Sequence, residues 1–199
     1  MTRRGTAVLL LVIAMILGAG VVAWRLTARP SQGPAVSDVG GPFHLVDQSG
    51  RPVDNHLLDG KWSAVFFGYT YCPDVCPTTL AKLGAVVADL GPAAGRFQVV
   101  FITVDPERDT PAALAAYLAS PTFPKGVHGL TGSPQQIAAV AKAYHVYYQK
   151  VPQAGAYTMD HSAVTYLMDP KGRFVSPLDL SGMPAEAARA VEKAMAGES

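Results

Sequence analysis

Cysteine is scarce in this chain: the 199 residues contain two, so no disulfide framework holds the fold together. A chain of this length does not need one, because a single domain of ordinary size buries enough apolar surface to fold unaided. Charge is scarce as well, at 16% of residues with a formal net of +1, which excludes the basic footprint of a nucleic-acid binder. No acid occurs among residues 1–29, where Arg3, Arg4, Arg25 and Arg29 supply four of the sixteen basic residues. The rest of the chain sets the other twelve against fifteen acids and is mildly acidic. The sequence has no internal repeat and no low-complexity tract.

One long stretch lacks charge altogether. Residues 7–24, AVLLLVIAMILGAGVVAW, would span about 27 Å as a helix, close to the hydrocarbon thickness of a bilayer. The pattern predicts a single N-terminal transmembrane helix within an anchor over residues 1–26. Arg3 and Arg4 favour an N-inside orientation, against the weaker pull of Arg25 and Arg29. A cleaved signal sequence is the competing reading. Both place the remainder of the chain outside the cytoplasm, with an inner-membrane, periplasm-facing location as the expectation and with disulfide formation permitted. Residues 27–41, TARPSQGPAVSDVGG, read as a flexible linker, and residues 42–199 as one domain.

Within that domain strands and helices alternate. FHLVD-QSG-RPV predicts a hairpin. WSAVFFG (62–68) and FQVVFITV (97–104) are continuous apolar runs, as in strands buried on both faces. Helices are predicted from Pro77 to about Gly91, over AALAAYLA after Thr110-Pro111, from Ser133 to about Tyr144 and from Pro184 to Ala196. HVYYQKV (145–151) and AVTYLMD (163–169) read as strands, the second turning through Pro170-Lys171-Gly172-Arg173 into FVSPL. The fold class is α/β, a central mixed sheet flanked by helices with an N-terminal hairpin.

Both cysteines lie in FFGYTYCPDVCPTTL, and each precedes a proline. A helix beginning at Pro77 puts that proline at the favoured first position and makes Cys76 the N-cap. Cys72 to Val75 then form a turn at the C-terminal end of a central strand, where open α/β sheets carry their reactive loops. At a helix N-terminus the Cys76 thiol is expected below its free pKa of about 8.5. A low-pKa thiolate is both ligand and nucleophile, so a redox pair and a clamp for a soft ion such as Cu(I) or zinc stay open, with an inert disulfide as the bland reading. A metal site needs a third donor from among His44, His56, His128, His145 and His161. For any one of these alone, a solvated or hydrogen-bonded imidazole is the default.

FFGYTYCPDVCPTTL, FITVDPERDTPAALAAYL, HGLTGSPQQI and YTMDHSAVTYLMDPKGRF together resemble the Sco/SenC family of membrane-anchored copper chaperones, in order over residues 42–195. The resemblance implies a thioredoxin-like domain of the peroxiredoxin-like variant, with copper ligands at Cys72, Cys76 and His161. It also implies a role in assembling the copper A centre of cytochrome c oxidase, with the oxidase subunit, other copper chaperones and a thioredoxin-like reductant as partners. Asp160 is a candidate to orient His161, with hydrogen bonding to loop amides as the equal alternative. Asp105, Arg108 and Asp109, which follow the second central strand, are expected to form an ion-paired loop and a helix cap, with a place near the site as the alternative. Phe67, Tyr69 and Tyr71 are expected to shape the pocket. Where many relatives have histidine before the first cysteine and an acid after the second Cys-Pro, this chain has Tyr71 and Thr78. A peroxidase is disfavoured, since Tyr69 and Val65 occupy the positions of that family's threonine and proline. The remaining alternative is a thiol–disulfide oxidoreductase using Cys72 and Cys76, an enzyme that has no need of His161.

Overall fold

The computed structural model describes residues 39–197. The predicted anchor over 1–26 and most of the predicted linker lie outside them. Among the described residues no helix is long and apolar enough to cross a membrane.

The chain enters through a hairpin, β1 (His44–Asp47) and β2 (Pro52–Asp54), and a 3-10 turn (Asn55–Leu58) leads to β3 (Trp62–Gly68). Helix α1 (Val75–Asp89) and a second 3-10 turn (Gly91–Arg96) lead to β4 (Phe97–Thr103). Next come α2 (Pro111–Leu118), β5 (His128–Thr131), α3 (Pro134–Ala143), β6 (Tyr148–Gln153) and β7 (Ala156–His161). The chain closes with β8 (Thr165–Met168), β9 (Phe174–Pro177) and α4 (Pro184–Met195). Seven strands form one sheet in the order β2-β1-β5-β4-β3-β8-β9, while β6 and β7 pair only with each other. Strands β3, β4 and β5 are parallel, and β8 runs antiparallel to β3. The result is the expected mixed sheet flanked by helices.

The two continuous apolar runs are the centre of this sheet. β4 is buried at every residue and β3 at all but Trp62, because helices cover both faces. On one face α1 lays Cys76, Leu80, Leu83 and Val86 inward. On the other, Tyr144 at the end of α3 meets Phe67 at 5.3 Å and Tyr166 at 5.6 Å. The predicted helix starts at Thr110-Pro111 and Ser133-Pro134 are observed, with a capping box joining Ser133 and Gln136.

Two strands were hidden in the sequence. HGLT, too short and too glycine-rich to signal, is β5. GAYTMDH carries no strand signal, yet its residues 156–161 are β7, the partner of an exposed β6 that begins three residues later than expected. His145 causes that delay, adopting a left-handed φ of 54° where α3 ends.

The two hairpin turns share one device. In Asp47-Gln-Ser-Gly-Arg51 the first carboxylate accepts from the Ser49 hydroxyl, the Ser49 and Arg51 amides and the Arg51 guanidinium. In Asp169-Pro-Lys-Gly-Arg173 the carboxylate likewise accepts from the Lys171 and Arg173 amides and the Arg173 side chain. Burial raises each carboxyl, but these hydrogen bonds outweigh it and hold both below the usual carboxylate range. Their stabilisation is therefore present above an unfolded pKa of about 3.9 and lost as pH falls below it. Asp47→Asn is expected to cost about 1 kcal/mol at neutral pH, the exposed Arg51 adding little, and to flatten the acid limb of the stability profile. Urea midpoints at neutral and acid pH check this; an unchanged acid limb contradicts it.

Candidate metal centre

Three segments meet beyond the C-terminal ends of β3 and β4. The Gly68–Thr103 pairing sets the loop after β3 beside the loop after β4. Thr165 pairs with Phe66, so the residues just before β8, His161 among them, fall at the same end of the sheet.

The local structure around the cysteines differs from the expectation. Helix α1 begins at Val75, with Asp74 at the cap position, and Pro77 is the third helical residue. Proline is tolerated there because the first turn's amides have no intrahelical partners. Cys76 is therefore inside the first turn. The sulfur seated over the free amides belongs to Cys72, whose Sγ accepts from the Cys76 amide at 3.4 Å.

Cys76 is fully buried and Cys72 half-buried, and both are free thiols. Burial pushes the Cys76 thiol well above the ordinary cysteine value, a backbone hydrogen bond at Tyr69 opposes this weakly, and Cys72 adds to the rise. The expected lowering at Cys76 is thus reversed: desolvation outweighs the helix terminus. The space for this sulfur comes from Gly68, where a Cβ would lie 2.9 Å from Cys76 Sγ and 2.8 Å from Phe101 Cε2.

His161, the last residue of β7, points its Nε2 at Cys76 Sγ, 3.6 Å away, while its Nδ1 lies 3.0 Å from the Ser162 carbonyl. A carbonyl only accepts, so Nδ1 carries the proton and Nε2 presents its lone pair to the sulfurs. The edge-on rings of Tyr69 (5.8 Å) and Phe66 (6.5 Å) wall the imidazole. The donor atoms of Cys72, Cys76 and His161 all lie within 4.8 Å of one another. Two sulfurs and one imidazole nitrogen suit a soft ion, Cu(I) above all, and the imidazole also tolerates Cu(II).

Asp160 does not orient His161: it is exposed, pointing to the other face of β7, and the Ser162 carbonyl takes the orienting position. Phe67 likewise lies on the opposite face of the sheet, against Tyr144 and Tyr166, and Phe66 is the wall residue instead. Tyr71 is 64% exposed and rims the site. Within VDPERDTP, Asp105 pairs with Arg108 as expected, and Thr110 caps α2. Asp109 has a different task. Fully buried, it accepts from the Thr70 amide (3.0 Å), the Thr70 hydroxyl (2.6 Å) and the Thr103 hydroxyl (2.6 Å). It thereby ties the cysteine loop to the end of β4, although burial raises its own pKa. Gly68 and the Thr70–Asp109 link were not legible in the sequence because each acts through a tertiary approach, and the Ser162 carbonyl was not because a backbone group carries no residue-type signal.

Comparison with known proteins identifies the family. A family model described as SCO1/SenC matches residues 31–196. The chain is 45% identical over 148 residues to Protein SCO1 homolog 1, mitochondrial, of Arabidopsis thaliana, a match covering 73% of this chain and 43% of that longer protein. To Protein SenC of Rhodobacter capsulatus it is 42% identical over 166 residues, covering 82% of this chain and 73% of the other. A solved structure of Bradyrhizobium japonicum ScoI with copper bound aligns at a TM-score of 0.73 and 49% identity, over 78% of this chain and 98% of that one. A match this long, with the motifs in order on the same fold, shows that the chain belongs to the SCO1/SenC family with its thioredoxin-like domain.

Proposed function

We propose that the protein is a copper metallochaperone that holds one copper ion on the sulfurs of Cys72 and Cys76 and on Nε2 of His161, and passes it to an apoprotein. The observation that carries this reading is the convergence of the three donors within 4.8 Å, with the second nitrogen of His161 already occupied by the Ser162 carbonyl. Copper bound in the ScoI structure of Bradyrhizobium japonicum supports it. The ion displaces the proton that burial keeps on Cys76, so uptake releases protons. Half-buried Cys72 and His161 are the donors an acceptor's ligand reaches first, while buried Cys76 retains the ion until exchange is complete. In this reading the acceptor is the copper A subunit of cytochrome c oxidase. Other copper chaperones load the site, and a thioredoxin-like protein keeps the cysteines reduced. Residues 7–24 anchor the chain in the inner membrane as a single pass, with the domain in the periplasm.

A second reading, a thiol–disulfide oxidoreductase, rests on the two free thiols and the access to Cys72. The Cys72 thiolate attacks a target disulfide to give a mixed disulfide, and Cys76 then displaces the target's second thiol. The target gains two electrons and two protons, and the chain is left as a Cys72–Cys76 disulfide. That cycle needs both cysteines but not His161, so His161→Ala separates the two. Under the chaperone reading, copper affinity falls by about a hundredfold, roughly 3 kcal/mol, and oxidase assembly fails in cells that depend on this protein. If assembly and copper affinity both survive, the chaperone reading fails.

A further inference from the structure

The ribbon of β6 and β7 that delivers His161 is not hydrogen-bonded to the main sheet, and most of β6 is exposed. A two-stranded ribbon is marginal by itself. Met159 of β7 packs into the core with Tyr148 and Tyr157 against it, and a polar cluster built on Arg108 holds the ribbon beside the cysteine loop. The Arg108 guanidinium lies over the Tyr157 ring at 3.7 Å, and its Nη1 donates to the Tyr157 carbonyl at 3.0 Å. The Tyr157 hydroxyl donates to Asp105 at 2.9 Å, and Asp105 also pairs with Arg108 Nε. The same guanidinium lies 4.6 Å from the centre of the Tyr71 ring and 5.9 Å from that of Tyr69. Tyr71 immediately precedes Cys72, and Tyr157 lies four residues before His161. The Tyr69 hydroxyl bonds Thr158 at 2.8 Å, so the loop and the ribbon touch again beside it.

We infer that Arg108 is a positioning residue for the third donor: it clasps the ribbon ending in His161 against the loop carrying Cys72, and so sets the distance between imidazole and sulfurs. The clasp uses the flat face of the guanidinium as well as its fork, which an ammonium cannot reproduce. The inference rests on the copper reading above, because it concerns the geometry of that same donor set.

The test uses the full chain in five forms: wild type, Arg108→Ala, Arg108→Lys, His161→Ala and the double variant Arg108→Ala/His161→Ala. Copper affinity is measured by competition, and amide hydrogen exchange is measured on the metal-free protein. Arg108→Ala is expected to weaken copper binding by about tenfold, the scale of losing a residue that orients a ligand. Arg108→Lys is expected to fall between it and wild type. In the His161→Ala background the same change has no further effect, because the donor it positions is gone. In the metal-free protein, exchange quickens across β6 and β7 and stays unchanged in β3 and β4. An equal loss in both backgrounds, wild-type affinity in Arg108→Ala, or exchange quickened throughout the main sheet each overturns the inference. A wild-type chain that takes up no copper overturns the metallochaperone reading instead, and the exchange measurement then decides alone whether the clasp exists.

Discussion

Replacing Cys76 with serine is expected to weaken Cu(I) binding by about 4 kcal/mol, roughly a thousandfold, while leaving the domain folded. Cys76 is the central donor: its sulfur is fully buried, lies 3.6 Å from His161 Nε2 and has the Cys72 sulfur against its own amide. A serine oxygen is a hard donor that stays protonated at neutral pH, and soft Cu(I) gains little from it. Serine is also slightly smaller, so it fits the space left by Gly68 without displacing Phe101. Titration against a chromophoric Cu(I) chelator, with circular dichroism as the folding control, measures the effect. Affinity within a few-fold of wild type would mean that Cys76 is not a ligand.

A second large effect is expected at a residue that carries no donor at all. Gly68→Ala puts a methyl group 2.9 Å from Cys76 Sγ and 2.8 Å from the Phe101 ring, closer than real side-chain carbons approach. Neither neighbour yields easily: Phe101 is fully buried on β4, and Cys76 is held in the first turn of α1. Relief requires the start of α1 to move away from β3, which carries Cys76 away from His161. The expected outcome is a loss of about 2 kcal/mol in stability together with a drop of about tenfold in copper affinity, although all three donors remain. Chemical denaturation and copper competition measure the two parts. A variant that loses stability but binds copper as wild type does would show that the site is not set by this contact.

The parts of the fold legible in the sequence are those with a strong local pattern. β3 and β4 are apolar without interruption, and the helices announce themselves through Thr110-Pro111, Ser133-Pro134 and Pro184. β5 and β7 were illegible for the opposite reason, whereas β6 was read three residues early. One is four residues with a glycine, and the other is a strand whose polar residues give no alternation.

At the site, the cysteine pair at the end of a central strand was readable from its prolines, although the helix starts two residues before Pro77 and its free amides face Cys72 rather than Cys76. His161 stood out from the other four histidines through family resemblance, not through any local pattern. Gly68, Asp109 and Arg108 matter through where the chain returns in space, whereas Ser162 is adjacent to His161 and acts through its backbone carbonyl, which no side-chain pattern signals. Asp160 shows the limit of reasoning by adjacency: one residue from His161 in sequence, it faces the other way.

The central claim, that two sulfurs and one imidazole form a copper site, is tested most directly by copper stoichiometry on the reduced chain. Cu(I) and Cu(II) are offered to wild type, Cys72→Ser, Cys76→Ser and His161→Ala, and bound metal is measured after removing the excess. The predicted result is one copper per wild-type chain, almost none retained by either cysteine variant, and a weakly held, readily stripped ion in His161→Ala. Wild type that retains no copper, or a His161→Ala variant that retains it as wild type does, would contradict the claim.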